Sequence, residues 1–569
     1  MPVGKVLADR KPPGIVVDAS LKVQYEAKVD FDSDLSHYGV VKGVLTNPDE
    51  GEVFAPPLMW LEALDLVLDR LSNQGLDFGR VQGLSGAGMQ HGTVFWSPEA
   101  KRSLFNLDPS KPLNKQLESA LAHPMSPNWQ DASTQHQCDA FDAELVHPQA
   151  LADATGSKAH HRFSGPQIMR FRTKYPEHWN NTARISLVSS FLASIFVGVV
   201  AAIDIADACG MNLWNVRKGA WDERLLALAA GGQDYVAALK QRLGDVQHDG
   251  GRPLGTINNY FATRYGFDPD CKIIPFTGDN PATILALPLR SQDAIVSLGT
   301  STTFLMSTPE YQPDPAYHFM NHPCTKGLYM FMLCYKNGGL AREQVRDQMN
   351  ARQPPGEDVW RPFNSTALST PLCTQNDGND KLRLGLFFPR PEIVPNLPAG
   401  QWRSSYDPKT NVLTPLATDF APTDARTIIE SQMLSLRLRS QKLVQPLAAP
   451  SGTKTLPPQP RRIYLVGGGS ANPAIASICG QVLGSAEGVY KLDIGGNACA
   501  LGAAYKAVWG CEKRPDETFE DLIGRRWDED AFVKKIADGY QEGIWERYGD
   551  AVKGLDALEK DALSKERQK

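Results

Sequence analysis

The sequence predicts an α/β protein built as two large domains around a central cleft. Three observations carry that prediction. The chain has 569 residues and is 42% hydrophobic, more than one compact core usually holds. Each half opens on a short apolar strand. In each half a strand also runs into a small-residue turn of the size that takes a phosphate, so the two halves read as a duplicated α/β fold.

In the first half, Gly14 to Asp18 is apolar, Ala19 to Lys22 turns, and Val23 to Phe31 alternates, which predicts a strand, a turn and a strand. Pro56 and Pro57 open a helix with Leu61, Leu64, Leu68 and Leu71 on one face and Glu62, Asp65 and Asp69 turned out. Val81 to Leu84 is a short strand leading into a turn, Ser85-Gly86-Ala87-Gly88. Ile185 to Ile203 carries no charge and is long enough to span a bilayer, but its four serines and the aspartates that follow favour a buried helix. Ile273 to Phe276 is a buried strand ending in a Gly-Asp-Asn-Pro turn. Ala294 to Leu298 is a second, ending in Gly299-Thr300-Ser301-Thr302-Thr303. The domain boundary is placed between them, giving a first domain over 1–290 and a second over 291–569. Residues 371–460 are rich in Pro, Asn, Asp, Gly and Ser and read as an insertion, with an amphipathic helix over Ala425 to Leu443 and a surface loop over Pro446 to Pro460. A clean strand, Ile463 to Val466, then meets three glycines. The charged run Lys560 to Lys569 reads as a frayed helix end.

A formal net charge of −5, a pI of about 6.2 and the lack of any basic block leave no electrostatic footprint for nucleic acid. The nine cysteines are scattered without CxxC pairs or metal-ligand spacing and read as reduced thiols. Met1 to Gly14 lacks the apolar core of a secretory signal. A cytoplasmic enzyme acting on small molecules, with no nucleic-acid or membrane partner, is the expectation.

Four segments have the composition for chemistry. Thr277-Gly278-Asp279-Asn280-Pro281 delivers a carboxylate and an amide at the end of a strand; a carboxylate there can accept the proton of an attacking alcohol. Gly299-Thr300-Ser301-Thr302 offers backbone N–H groups and hydroxyls to phosphate oxygens, without the Gly-Lys-Ser/Thr of a Walker loop. Gly467-Gly468-Gly469 would let the backbone approach a flat base, with Asn472 beside it. Met89-Gln90-His91-Gly92 places a polar pair after a glycine-rich stretch, suited to a polyol. Against each stands a plain turn or a satisfied core residue. The small-residue stretch Gly495 to Ala504 reads as structural, permitting close packing.

Taken in this order, the segments resemble the FGGY carbohydrate kinases, and within them the eukaryotic enzymes acting on D-xylulose. Leu84 to Gly92 and Arg162-Phe163-Ser164-Gly165 are similar to the family's sugar-site segments. Ser126 to Cys138, Asp207 to Leu213 and Gly278-Asp279-Asn280-Pro281 follow its pattern. The resemblance runs from about Gly14 almost to the C-terminus. It implies two actin-like (ribonuclease H-like) ATPase domains and ATP-dependent phosphorylation of D-xylulose to D-xylulose 5-phosphate with Mg²⁺, feeding the pentose phosphate pathway. It implies that Gln90, His91, Arg162, Asp279 and Asn280 hold the sugar, with Asp279 also the general base. It implies that Gly299, Thr300, Ser301, Thr302, Trp360, Gly468, Gly469 and Asn472 contact ATP. Two alternatives stand beside this reading: a kinase for another ketose or polyol, and a non-catalytic sugar-binding regulator.

One departure is plain. The family opens with a strand carrying a Gly-x-Asp-x-Ser-Thr loop that handles phosphate and magnesium. Here Gly14 to Asp18 matches the second strand, while Met1 to Pro13 does not match the first. Asp18-Ala19-Ser20 imitates the motif from the wrong register and reads as a hairpin turn. The first strand is therefore expected to be missing or altered, the metal ligands are unassigned, and phosphate transfer is expected to be slow while sugar binding persists.

Overall fold

The structure is a computed structural model. It describes residues 2–7, 13–287, 289–352, 358–375, 380–417, 419–450, 452, 454–493 and 497–568. The chain divides into two compact units. Unit 1 comprises Met1–Leu289, Pro313–Met330 and Ile494–Trp527; unit 2 comprises Arg290–Gln312, Phe331–Asp493 and Asp528–Lys569. Neither unit is one continuous stretch: two segments from beyond residue 290 return to the first.

Unit 1 is organised on a mixed sheet of β1 (Pro2–Leu7), β2 (Pro13–Val17), β3 (Val23–Lys28), β4 (Gly83–Gly88), β5 (Gly255–Thr256), β6 (Lys272–Ile273) and β7 (Thr277–Gly278). Its order is β5-β6-β4-β1-β2-β3, with β7 also on β4. The residues expected to leave the first strand's place empty fill it. β1 runs parallel to β4 and antiparallel to β2, with Val3 opposite both Leu84 and Val16. Backbone pairing on both sides accepts a sequence unlike the family's, because a central strand's ladder is made by its main chain. Residues 8–12, where the loop would follow, lie outside the described residues. Asp18 closes the β2–β3 hairpin: its Oδ1 accepts from Ser20 N at 2.8 Å and Ser20 Oγ at 2.6 Å.

Ser85 to Gly88, expected as a turn, is the C-terminal part of β4 and wholly buried. Its small residues answer to close packing. A Cβ on Gly83 would collide with Cys511 Sγ, and one on Gly88 with the backbone of Ser189. The helix Pro57–Asn73 buries Leu61, Leu64, Leu68 and Leu71. Asp65, expected to face out, is buried too. Its carboxylate accepts from Leu113 N at 2.8 Å, Tyr265 Oη at 2.9 Å and Tyr260 Oη at 3.1 Å, partners supplied by distant segments. The uncharged stretch resolves into a strand, Arg184–Leu187, and a ten-residue buried helix, Val188–Val197, stopped by left-handed Gly198. No described helix is long and apolar enough to cross a membrane. The Gly-Asp-Asn-Pro segment is the first turn of the helix Asp279–Leu285, where Pro281 helps to start the helix instead of ending a turn. Against it packs the helix Ala498–Glu512, whose Gly502 has no room for a Cβ because the carbonyl of Ala282 occupies that place.

Unit 2 has a second mixed sheet. In it, β10 (Tyr329–Tyr335), β9 (Thr302–Thr308), β8 (Ala294–Leu298), β11 (Arg462–Val466), β12 (Gly488–Leu492) and β13 (Val533–Ala537) lie side by side in that order. β8 and β9 form an antiparallel hairpin about residues 299–301, so Thr302 and Thr303 belong to a strand and not to the turn. The insertion contains a three-stranded sheet in which Leu382–Phe388, Gly400–Asp407 and Val412–Pro415 pair antiparallel. Part of the expected surface loop forms a small ladder, Leu447–Ala448 with Thr455–Leu456. The helix expected to be amphipathic, Asp424–Ser440, is buried on nearly every side. Its charges are compensated internally, Asp424 by Arg403 at 2.7 Å and Glu430 by Arg426 at 2.6 Å, which is how a polar pattern tolerates the interior. The charged C-terminal run continues a long helix, Ile544–Arg567. The described cysteines are thiols, not disulfides.

Candidate functional site

In unit 1 the five residues expected to hold sugar come together. Asp279 stands at the first position of its helix, half-buried, directly after β7. Its Oδ1 accepts from Asn280 N at 2.7 Å and from Asn280 Nδ2 at 2.9 Å. The same amide donates to Gln90 Oε1 at 3.1 Å. Carboxylate, amide and amide thus form one chain that aims Asp279. Gly278 is required here, because a Cβ would collide with Asp207 Oδ1 and Gln90 Cγ.

Asp207 lies next to this segment, buried, with Ser189 Oγ donating to its Oδ2. Burial, reinforced by the neighbouring charge of Asp204, pushes its pKa well above the usual carboxylate range. Its burial thus disfavours a second negative charge beside Asp279. Asp204 is held by Thr277 Oγ1 at 2.7 Å and by the buried ammonium of Lys506 at 3.2 Å.

His91 adopts a left-handed backbone, φ 72°, a conformation that costs energy in a residue with a side chain. Its ring is pinned: Nδ1 lies 3.0 Å from the Gly210 carbonyl and the ring stacks on Phe163 at 4.5 Å. Burial, and then the charge of Arg162, hold its pKa well below the ordinary value, so the ring is neutral. A carbonyl only accepts, so Nδ1 carries the proton and Nε2 is an acceptor. Arg162, half-buried, lies with its guanidinium carbon 5.8 Å from the Phe163 ring centre, and its Nη2 is 3.0 Å from His318 Nε2. A polyol would meet an acceptor at His91, donors at Arg162 and a carboxylate at Asp279.

Unit 2 contains a cavity of about 670 Å³. Gly299, Thr300, Trp360, Gly468, Gly469 and Asn472 line it, all expected for ATP. Ser301 and Thr302 do not line it; Thr302 is buried in the strand beyond the turn. The turn is clipped from behind: Gly339 N donates to the Gly299 carbonyl at 2.8 Å and Leu340 N to that of Thr300 at 3.2 Å. Gly467 takes φ 84°, and the backbone then runs through Gly468 and Gly469 to Asn472. Asn472 caps the helix Pro473–Leu483, its Oδ1 accepting from Ala474 N at 3.0 Å and Ile475 N at 3.1 Å, while its Nδ2 donates to Asn364 Oδ1 at 2.7 Å. Trp360 is braced by the Arg346 guanidinium 4.6 Å from its ring centre.

The sequence reading missed Arg342, Glu343 and Asn364, which also line this cavity. Arg342 is buried, Nη1 donating to Gln432 Oε1 at 2.6 Å, and forms no carboxylate ion pair among the described residues. Burial lowers its pKa to about 10, which leaves it charged at neutral pH. Glu343 is exposed. A roomy pocket with a glycine floor, one aromatic and a buried cation fits a nucleotide. Magnesium ordinarily arrives with the nucleotide's phosphates and needs only one or two carboxylates; among the described residues no group of three His, Cys, Asp or Glu could hold a metal by itself.

A sheet-based α/β fold with a cluster of polar side chains in one unit and a nucleotide-sized cavity in the other is the arrangement of a small-molecule kinase. Solved structures share the fold over nearly the whole chain. A xylulose kinase from Rhodospirillum rubrum matches with a TM-score of 0.72 at 17% identity, covering 99% of this chain and 97% of that one. Glycerol kinase from Plasmodium falciparum with ADP matches with 0.69 at 11%, covering 98% of each. The models for the N-terminal and C-terminal domains of the FGGY family of carbohydrate kinases match residues 114–286 and 294–511. Probable D-xylulose kinase A of Aspergillus terreus is 61% identical over 568 residues, covering all of this chain and 98% of that protein. D-xylulose kinase A of Aspergillus niger is 59% identical over 568 residues, covering 99% and 98%. The chain belongs to the FGGY family of carbohydrate kinases.

Proposed function

We propose that this carbohydrate kinase transfers the γ-phosphate of ATP to D-xylulose, giving D-xylulose 5-phosphate and ADP. The observation that carries the reading is the aimed carboxylate: Asp279 fixed by Asn280, which is itself fixed by Gln90, beside the neutral His91 and the cationic Arg162. Asp279 takes the proton of the attacking hydroxyl as its oxygen bonds to the γ-phosphorus and the bond to the ADP oxygen breaks. His91 Nε2 accepts from one hydroxyl of the ketose, and Arg162 and Asn280 donate to others. In unit 2, the turn at Gly299 and Thr300 receives phosphate, Gly468 and Gly469 admit the base, and Trp360 flanks it. Mg²⁺, when bound with ATP, neutralises charge on the transferring group.

D-xylulose is preferred over other sugars as the substrate because relatives near 60% identity over essentially the whole chain carry that name. A catalytic role is favoured over a purely sugar-binding one because a carboxylate held by Asn280 and a cavity large enough for a nucleotide both support it. We place the enzyme in the cytoplasm, in keeping with cysteines that are scattered and remain thiols. The test is ADP release with Mg-ATP across D-xylulose, D-ribulose, L-xylulose, glycerol and gluconate. The reading expects the highest kcat/KM for D-xylulose. A higher value for any of the others would overturn the substrate assignment.

A further inference from the structure

His318 belongs to a segment, Pro313–Met330, that returns to unit 1 from beyond residue 290. It is buried, and its ring lies 4.5 Å from that of His160 and 5.5 Å from that of Phe163. Both of its nitrogens are committed. Nε2 is 3.0 Å from Arg162 Nη2, and a guanidinium only donates, so Nε2 must be bare. Nδ1 is 2.8 Å from Ser157 Oγ and therefore carries the ring proton. The other titratable groups that bear on the ring electrostatically are His91, His160 and Lys158, all of them cationic or neutral. Among the described residues no carboxylate acts on it to favour protonation.

Ser157 is fixed in turn. Asn212, itself in a left-handed conformation at φ 55°, donates from Nδ2 toward Thr155 Oγ1 at 3.2 Å and toward the carbonyls of Ser157 at 3.3 Å and Lys158 at 3.2 Å. Two residues earlier, the Gly210 carbonyl orients His91. The short Gly210-Met211-Asn212 stretch thus reaches two of the side chains assigned to the sugar, His91 directly and Arg162 through Ser157 and His318.

We propose that His318 is a positioning residue for sugar recognition: locked by Ser157 as the neutral Nδ1–H tautomer, it holds the Arg162 guanidinium in the orientation that reads the ketose hydroxyls. This rests on Arg162 being a sugar contact. An arginine side chain has several soft torsions, and an acceptor fixed behind it removes the freedom that sugar binding would otherwise have to freeze. A protonated His318, or the Nε2–H tautomer, would instead point a donor at a donor.

The test uses the full chain. D-xylulose binding is measured by calorimetry for the parent, His318→Phe, His318→Gln and Arg162→Met, with ADP binding measured in parallel. The phenylalanine keeps a ring but no acceptor, and should weaken D-xylulose by about tenfold or more while ADP binding stays within about twofold. Glutamine offers an amide oxygen to Arg162 and should recover most of the loss. In parent protein labelled with ¹⁵N-histidine, the ring resonances that vanish in His318→Gln should report a neutral Nδ1–H imidazole from pH 8 to pH 6. Sugar binding unchanged in His318→Phe, glutamine no better than phenylalanine, or an Nε2–H or protonated ring would each overturn the proposal. Arg162→Met separates the two levels: if it too leaves D-xylulose binding intact, the sugar-site reading falls and the positioning role with it. If it weakens binding while His318→Phe does not, only the positioning role falls.

Discussion

Asp279→Asn keeps the size of the side chain and can keep its bonds to Asn280 but removes the carboxylate proposed as the base. Turnover should fall by about 10²- to 10⁴-fold while D-xylulose binding is largely retained, the usual span for losing a general base; single-turnover kinetics beside calorimetry checks both halves. Arg342→Met tests the residue that sequence reasoning overlooked. A buried cation in the wall of the nucleotide cavity should be met by the anionic part of the nucleotide. The substitution should weaken ADP by about tenfold or more and adenosine far less. Equal losses for both would mean that Arg342 faces the base. At this scale the residues proposed for the sugar could be singled out in the sequence because each stands in a short segment of distinctive composition. Arg342 was not, since it sits inside an ordinary helical sequence, Gly339–Asn350, and only its burial gives it meaning. His318 was hidden for the same reason, one polar residue in the apolar run His318 to Met320.

Among the elements, periodicity located the helix Pro57–Asn73, the β2–β3 hairpin, β8 and β11, because each repeats an apolar spacing with clear boundaries. It failed where glycine and proline serve packing instead of turning. Ser85 to Gly88 is strand because the backbones on either side come too close for side chains, and Pro281 opens a helix because the first helical turn needs no N–H from it. The alternation Leu382, Leu384, Leu386 was masked by the turn-forming residues around it. The crossing of Asp279–Leu285 by Ala498–Glu512 offers a direct trial at this scale. Gly502→Ala would drive a methyl into the Ala282 carbonyl, on the helix that begins with Asp279, the proposed base. Urea unfolding should show a loss of about 1–3 kcal/mol, the usual cost of overpacking, together with reduced turnover. Unchanged stability would show that the two helices separate easily.

Across the whole molecule, acidity should act unevenly. His91, His123, His160, His161, His318 and His322, all in unit 1, have pKa values lowered chiefly by burial. Their folded values lie below the unfolded one near ~6.5, so the stability they contribute is full above that pH and is lost as pH falls through it, when the unfolded chain takes up protons first. Asp207 opposes this in unit 1 with a raised value. In unit 2, Asp293 is raised to about 6 by burial, countered in part by Arg461, and it works in the opposite direction, losing stability as pH rises through that value. Amide exchange, corrected for its intrinsic pH dependence, should therefore quicken in unit 1 between pH 7 and pH 5.5 and stay level or slow in unit 2. Equal acceleration in both would contradict this assignment.

The reaction itself is the sharpest trial. Purified full-length protein is mixed with Mg-ATP and D-xylulose labelled with ¹³C at carbon 5, and the products are followed by ³¹P and ¹³C NMR. ADP and a phosphate ester coupled to carbon 5 should appear in equal amounts, with neither formed when the sugar is left out or when Asp279 is replaced by asparagine. ADP accumulating without sugar, a phosphate on another carbon, or D-xylulose bound yet left unphosphorylated would contradict the account.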